Sequence, residues 1–209
     1  MTPIKDKSLQ TYLDDLASKQ PTPGGGSAAA LMGAQAAALV GMVCNLTIGK
    51  AKYAEVEADM QALLVEAESL RVTLTGMIKA DVDVFNKLMA CYGLPKASDE
   101  EKAQRSAQIQ FVLREATDVP LDCAKACAKA INLSRIAAEK GSLGVISDAG
   151  VAVMSAYAGL KSAALNVEIN AASLKDRAFA EAKLAELQAL LKDADQKAHA
   201  VYQLVQQKL

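Results

Sequence analysis

Asp81 and Asp83 lie two residues apart, yet helical winding gives them opposite surroundings. Around Asp81, three, four and seven residues away, stand Met77, Ile78, Val84, Phe85 and Leu88, so its carboxylate faces the core. Around Asp83 stand Lys79, Ala80, Asn86 and Lys87, a solvent-facing setting. Burial raises a carboxyl pKa and poises the group for general acid or base work, whereas pairing with a cation does the opposite. Asp81 is therefore the first catalytic candidate. An aspartate that caps or pairs with a neighbouring helix satisfies the same pattern.

Asp148 stands in Ile146-Ser147-Asp148-Ala149-Gly150, where it is expected to open a helix and where a carboxylate ordinarily serves as N-cap. Ser155, Ser162, Asn166 and Asn170 follow it at spacings of seven, seven, four and four, a polar stripe on a helix otherwise rich in Ala and Val. Polar groups on a buried stripe require partners. Asn45 poses the same question among Gly41, Met42, Ile48 and Gly49. Lys50 follows it, placed either to act on a substrate or to complement a helix C-terminus.

The segment Pro21-Thr22-Pro23-Gly24-Gly25-Gly26-Ser27 opens directly into an apolar run from Ala28 to Ile48. Proline presets the approach, and successive glycines leave their N–H groups unshielded by any Cβ. With Ser27 as N-cap, those amides lie at the positive end of the helix dipole, which suits an anion or a polarised oxygen. An ordinary capped turn uses the same residues.

Only helices are expected to position these groups, because apolar residues recur every three or four positions and no period-2 pattern with hairpin turns occurs. Leu9, Tyr12, Leu13 and Leu16 form one face of a first short helix. The second carries Ala29, Gly33, Ala37 and Gly41, a ridge of small residues that admits a close neighbour. A third runs from about Tyr53 to Tyr92, with Gly76 as a possible break and Gly93-Leu94-Pro95 as its end. Ser98 to Glu101 has the capping-box pattern of a charged helix reaching Thr117, and Pro120 suits the first turn of another ending at Gly141. Asp148 opens a small-residue helix to Ala172. From Leu174 or Lys175 a long amphipathic helix bears Leu184, Leu187, Leu191, Ala194, Ala198, Val201 and Val205. The expectation is one all-α domain over residues 1–209, an elongated multi-helix bundle with the two small-residue helices at its centre.

Composition narrows the chemistry. With 23 Lys and Arg against 24 Asp and Glu, a net charge of −1 and no dense basic block, nucleic acid is not an expected partner. The run from residue 28 to 49 is mostly alanine and glycine with Gln35 and Asn45 inside it, which reads as a buried central helix rather than a membrane span. Cys44, Cys91, Cys123 and Cys127 form no CxxC pair or disulfide framework, and no signal peptide precedes residue 8, so a cytoplasmic protein with reduced thiols is expected. His199 is the one histidine, Cys123 and Cys127 read as core thiols, and no phosphate-loop motif occurs. What remains is acid–base chemistry from carboxylates, amides and a lysine.

Four spaced motifs, namely Pro21 to Ser27, Asn45-Leu46-Thr47-Ile48-Gly49-Lys50, Ser147-Asp148-Ala149-Gly150-Val151 and Leu165-Asn166-Val167-Glu168-Ile169-Asn170, resemble in order the cyclodeaminase/cyclohydrolase family of folate enzymes. The resemblance spans essentially the whole chain, including Asp81-Val82-Asp83-Val84-Phe85. It implies an all-helical homodimer acting on tetrahydrofolate one-carbon derivatives without metal or redox cofactor. The free-standing length favours hydrolysis of 5,10-methenyltetrahydrofolate. Ammonia-releasing cyclodeamination of the formimino derivative is the rival within the family, and a non-catalytic folate-binding or scaffold subunit the rival outside catalysis. On this reading Asp81, Lys50 and Asp148 are catalytic, and Pro23, Gly24, Gly25, Gly26, Ser27, Asn45, Ser147, Asn166 and Asn170 hold substrate.

Overall fold

The computed structural model describes residues 4–209, so residues 1–3 of the expected domain lie outside the described residues. Seven α-helices carry it: α1 (Leu9–Leu16), α2 (Gly25–Asn45), α3 (Glu57–Tyr92), α4 (Asp99–Lys140), α5 (Ile146–Ser173), α6 (Arg177–Leu191) and α7 (Ala194–Lys208). Short 3-10 turns occupy Ile4–Asp6, Ala51–Val56 and Leu143–Val145, and no strand occurs among the described residues.

The expected small-residue ridge is the centre of the packing. Ala29, Gly33, Ala37 and Gly41 are all buried, and α2 packs against α3, α4 and α5. A β-carbon on Gly159 of α5 would meet the Ala29 carbonyl oxygen at 3.0 Å and the Gly33 nitrogen at 3.2 Å, so the two backbones cross almost in contact. The helices run antiparallel: Gly25 neighbours Asn166, Ser155 Oγ donates to the Met32 carbonyl at 2.8 Å, and Val43 approaches Gly141. By length and hydropathy α2 and the Leu143–Ser173 segment could each cross a membrane. In the bundle they pack on one another and on α4.

Several boundaries differ from expectation. The α2 helix opens at Gly25 with Gly24 as N-cap, so Ser27 is its third residue. No break occurs at Gly76, where an added Cβ would meet nothing within 4 Å. The expected pair of helices around Pro120 is one 42-residue helix. Proline lacks the N–H owed to the Ala116 carbonyl, and Asn170 Nδ2 supplies a donor to that oxygen from α5 at 2.5 Å. Asp148 lies in the first turn of α5, which starts two residues earlier than expected at Ile146. The long C-terminal helix is two, because Asp176 caps α6 by accepting from the Phe179 N–H and the chain restarts after Asp193. On α1 only Tyr12 is fully buried, while Leu9 and Leu13 are 65% and 47% exposed. The Ser98 capping box forms as expected, with Glu101 accepting from the Ser98 N–H at 3.0 Å.

Candidate active site

Asp81 is brought by α3 to the N-terminus of α2. Ser27 is fully buried there, with Oγ 2.9 Å from Asp81 Oδ2 and 3.3 Å from the Ile78 carbonyl; its single proton goes to the nearer carboxylate. The Ser27 backbone N–H also donates to Asp81. Burial pushes the Asp81 carboxyl above the ordinary aspartate value, and the Ser27 bonds only partly offset this. Gly26 makes the approach possible, since a β-carbon there would stand 2.0 Å from Asp81 Oδ1. The Gly25 and Gly26 amides begin the helix and have no intrahelical acceptor. Pro23 is buried just before them, after a cis Thr22–Pro23 bond. Asn166 flanks Gly25, within 3.9 Å of where its β-carbon would be.

Tyr12 joins this end of the bundle. It is buried, and both its burial and the Asp81 charge raise its phenol pKa. Its hydroxyl has no hydrogen-bond partner among the described residues. The sequence reading placed Tyr12 only on an apolar helix face and missed its proximity to Asp81.

Lys50, Asn45, Ser147 and Asp148 are elsewhere. The 21 residues of α2 separate its ends by about 30 Å at ~1.5 Å per residue. Asn45 ends the helix, exposed, and Lys50 lies five residues beyond it. Lys50 Nζ donates to Ser142 Oγ at 3.2 Å. The Ser142 N–H donates to Thr47 Oγ1 at 2.8 Å, and the Leu143 N–H to the Tyr53 hydroxyl at 2.9 Å. The Leu143 and Ser142 bonds lower the Tyr53 phenol pKa, with smaller help from Lys52 and Lys50. Ser147 and Asp148 belong to the first turn of α5, which the antiparallel packing sets beside the last turns of α2. The nominated residues thus form two groups, at opposite ends of one helix pair. Thr47 and Tyr53, inside and just after the second motif, were not singled out by sequence.

The α5 stripe is real, and Ser155, Asn166 and Asn170 on it find hydrogen-bond partners. Asp148, Ser155, Ser162, Asn166 and Asn170 are all half-buried. Asn166 Nδ2 donates to the Ser162 carbonyl at 2.9 Å. Asn170 Nδ2 donates to the carbonyl orphaned by Pro120, which gives it a structural task in the fold. Asp83 pairs with Lys79 on the surface as expected. Cys44, Cys123 and Cys127 are buried free thiols, and burial pushes Cys44 up to about 11. Among the described residues no three His, Cys, Asp or Glu side chains gather as a metal site. A hollow of about 740 Å³ between α3 and α4, lined by Cys91, Pro95 and Arg105, contains none of the nominated residues.

A half-buried carboxylate of raised basicity, beside helix N-terminal amides that have no intrahelical acceptor, can take a proton from water, balance a cation and stabilise a developing oxyanion. Known proteins are similar to this chain over most of its length. The sequence profile of the formiminotransferase-cyclodeaminase family matches residues 8–189. A protein of Methylorubrum extorquens named methenyltetrahydrofolate cyclohydrolase is 59% identical over 204 residues, 98% of either chain. The formimidoyltransferase-cyclodeaminase of Rattus norvegicus is 31% identical over 198 residues, covering 95% of this chain but 37% of that protein. The crystal structure of formiminotetrahydrofolate cyclodeaminase from Thermotoga maritima superposes with a TM-score of 0.82 at 30% identity, over 99% of this chain and 97% of that one. On the extent of these matches, the chain belongs to the formiminotransferase-cyclodeaminase family.

Proposed function

We propose that this chain is a methenyltetrahydrofolate cyclohydrolase, converting 5,10-methenyltetrahydrofolate to 10-formyltetrahydrofolate within a single helical domain. The observation that carries this is the Asp81 carboxylate, half-buried, raised in pKa and bonded to Ser27 at the start of α2. The 59% identity to a cyclohydrolase over nearly the full length of both chains supports the choice of reaction. The substrate's amidinium is a cation, which Asp81 balances. As water adds to the amidinium carbon, one water proton passes to Asp81 and a C–O bond forms. Collapse breaks the carbon's bond to N5, N5 takes the proton from Asp81, and the second proton of the water is released to solvent. The Gly25 and Gly26 amides, with Asn166, orient the pterin and the reacting bridge. Lys50, about 30 Å along α2 from the Asp81 end, is too far to donate to the departing nitrogen and is left an anionic carboxylate of the glutamyl tail as its target. These steps use side chains and amides alone, without metal or redox cofactor.

The active species is taken as a homodimer in the cytoplasm. A broad apolar face supports it, with Met42 of α2 43% exposed, Val72 of α3 63%, and Val151, Met154, Leu165 and Ile169 of α5 44–67%. Light scattering is expected to give twice the 21.9 kDa of one chain. Cyclodeamination is the second reading, favoured by the 0.82 TM-score to a formiminotetrahydrofolate cyclodeaminase. Two assays decide between them: decay of methenyltetrahydrofolate absorbance in a buffer where spontaneous hydrolysis is slow, and ammonia release from 5-formiminotetrahydrofolate. Methenyl loss without ammonia release establishes the hydrolase, and ammonia with methenyl accumulation the deaminase. Folate binding without turnover of either substrate establishes a binding subunit. Full turnover by folded Asp81→Asn refutes the base role.

A further inference from the structure

On the seam between α2 and α3, part-way from Asp81 to the far end of α2, lies a second polar hollow. The two helices run antiparallel along three close approaches. A β-carbon on Gly26 would collide with Asp81, one on Gly33 would stand 2.9 Å from Leu74 Cδ2, and one on Gly41 would stand 3.4 Å from Glu68 Oε1. Beside the last of these, a hollow of about 480 Å³ is lined by Ala38, Gly41 and Asn45 of α2 and by Glu68 and Arg71 of α3. That volume suits a small ligand or one arm of a larger one.

Its polar groups are set out for a carboxylate. Arg71 Nε donates to Glu68 Oε1 and Oε2 at 3.3 and 3.2 Å, and Arg71 Nη2 donates to Oε2 at 2.6 Å. Glu68 thus occupies one edge of the guanidinium and fixes its plane, while Nη1 has no partner among the described residues. A planar guanidinium with donors to spare is matched to a second carboxylate. Asn45 adds a side-chain amide that can donate to the same anion.

The spacing fits the substrate. Arg71 precedes Asp81 by ten residues on α3, about 15 Å along the axis. The aminobenzoyl-glutamate arm of a folate spans about 10–12 Å from reacting bridge to carboxylates, and a contact of about 3 Å at each end completes the distance. Leu31 and Ala38, seven residues apart on α2, offer the intervening ring apolar contact, with Gln35 and Thr75 as a polar margin. Resting on the cyclohydrolase reading, we infer that Arg71, oriented by Glu68 and assisted by Asn45, is a specificity-determining residue that binds the glutamyl carboxylates of the substrate while Asp81 acts on its bridge. Lys50, five residues beyond Asn45, is left to the carboxylates of a longer glutamyl tail.

The test crosses the residue with the charge it reads. Hydrolysis of 5,10-methenyltetrahydrofolate is compared with that of its bis-amide, in which both glutamyl carboxylates are carboxamides and the length is unchanged. Wild type is expected to lose about 10- to 100-fold in kcat/KM on the bis-amide, carried by KM. Arg71→Gln is expected to show that loss already on the natural substrate, with kcat unchanged, and to lose nothing more on the bis-amide. The side chains of Arg71 and Glu68 are 42% and 47% exposed, and pairs so exposed contribute little to stability, so the variant is expected to fold. Equal losses by Arg71→Gln on both compounds, or an amide penalty of the same size in wild type and variant, overturn the inference and leave the cyclohydrolase reading intact. The same cycle is run without turnover, by calorimetric binding of tetrahydrofolate and its bis-amide. A preference for the charged form that survives in Arg71→Gln overturns the subsite. Hydrolysis of neither methenyl compound by wild type defeats the functional reading instead, and the binding cycle still decides whether Arg71 reads the tail.

Discussion

Replacing Gly26 by alanine is the sharpest perturbation the structure offers, because it strikes Asp81 without altering any polar group. The added carbon would lie 2.0 Å from Asp81 Oδ1 and 2.5 Å from its Cγ. Favourable nonbonded separations begin near ~3.5 Å, so the overlap is about 1.5 Å. The helix start is held by the Ala28 N–H bond to the Gly24 carbonyl at 3.0 Å, so the carboxylate moves rather than the backbone. In moving it gives up the 2.9 Å bond from Ser27. A hydrogen bond to a charged group contributes about 1.5–3 kcal/mol net, and alanine in place of a helical glycine returns up to about 1 kcal/mol. The balance is a loss of about 0.5–2 kcal/mol, or roughly 1–8 °C in melting temperature for a chain of this size. Catalysis suffers far more, since displacing a reacting group by about 1 Å is enough for a 10²-fold loss. Circular dichroism melts beside the methenyl absorbance assay read both quantities. In an Asp81→Ala background the overlap vanishes, and Gly26→Ala is then expected to stabilise by about 0.5–1 kcal/mol. A folded Gly26→Ala protein with wild-type turnover, or equal stability effects in the two backgrounds, refutes the reasoning.

The raised Asp81 pKa favours its protonated form in the folded state, so its stabilising contribution is complete below the ordinary aspartate value and lost as pH rises through the folded one. Urea midpoints of wild type relative to Asp81→Asn are expected to fall across that window, and the acid limb of kcat/KM to lie above the ordinary aspartate value. Asn170→Ala strips the donor from the Ala116 carbonyl, with an expected loss of about 1–3 kcal/mol and unchanged KM. Pro120→Ala restores a backbone N–H to that carbonyl and is expected to abolish most of the penalty in the double variant; a raised KM with unchanged stability contradicts this. Tyr12→Phe removes an unpartnered buried hydroxyl and is expected to stabilise by about 1 kcal/mol in thermal melts, whereas a destabilised variant indicates a partner for that hydroxyl.

Periodicity was enough to read the all-helical class and the inward face of Asp81, because Met77, Ile78, Val84, Phe85 and Leu88 surround it on its own helix. It was enough, too, for the α2 ridge and the α5 stripe. It failed wherever the deciding partner came from another helix. Pro120 looked like a helix start, because the amide that lets α4 continue belongs to Asn170, 54 residues from the carbonyl it serves. The apolar spacing from Leu184 to Val205 runs on across the restart at Asp193, so it carried no sign of two helices. Motif order likewise identified the family, yet said nothing of which end of a helix each motif occupies. Lys50 and Asp81 belong to one motif set and to opposite ends of the bundle.

The near-contact of α2 and α5 at Gly33 and Gly159 makes α2 a ruler that cannot turn. A single residue inserted between Gly33 and Asn45 would advance the Asn45–Lys50 motif by about 1.5 Å and swing it about 100° around the axis. No sliding or rotation at the glycine crossing is available to absorb that change. The number of residues in this helix is thus as much a determinant of the site as the identity of any side chain in it, and deletions or insertions belong in its loops.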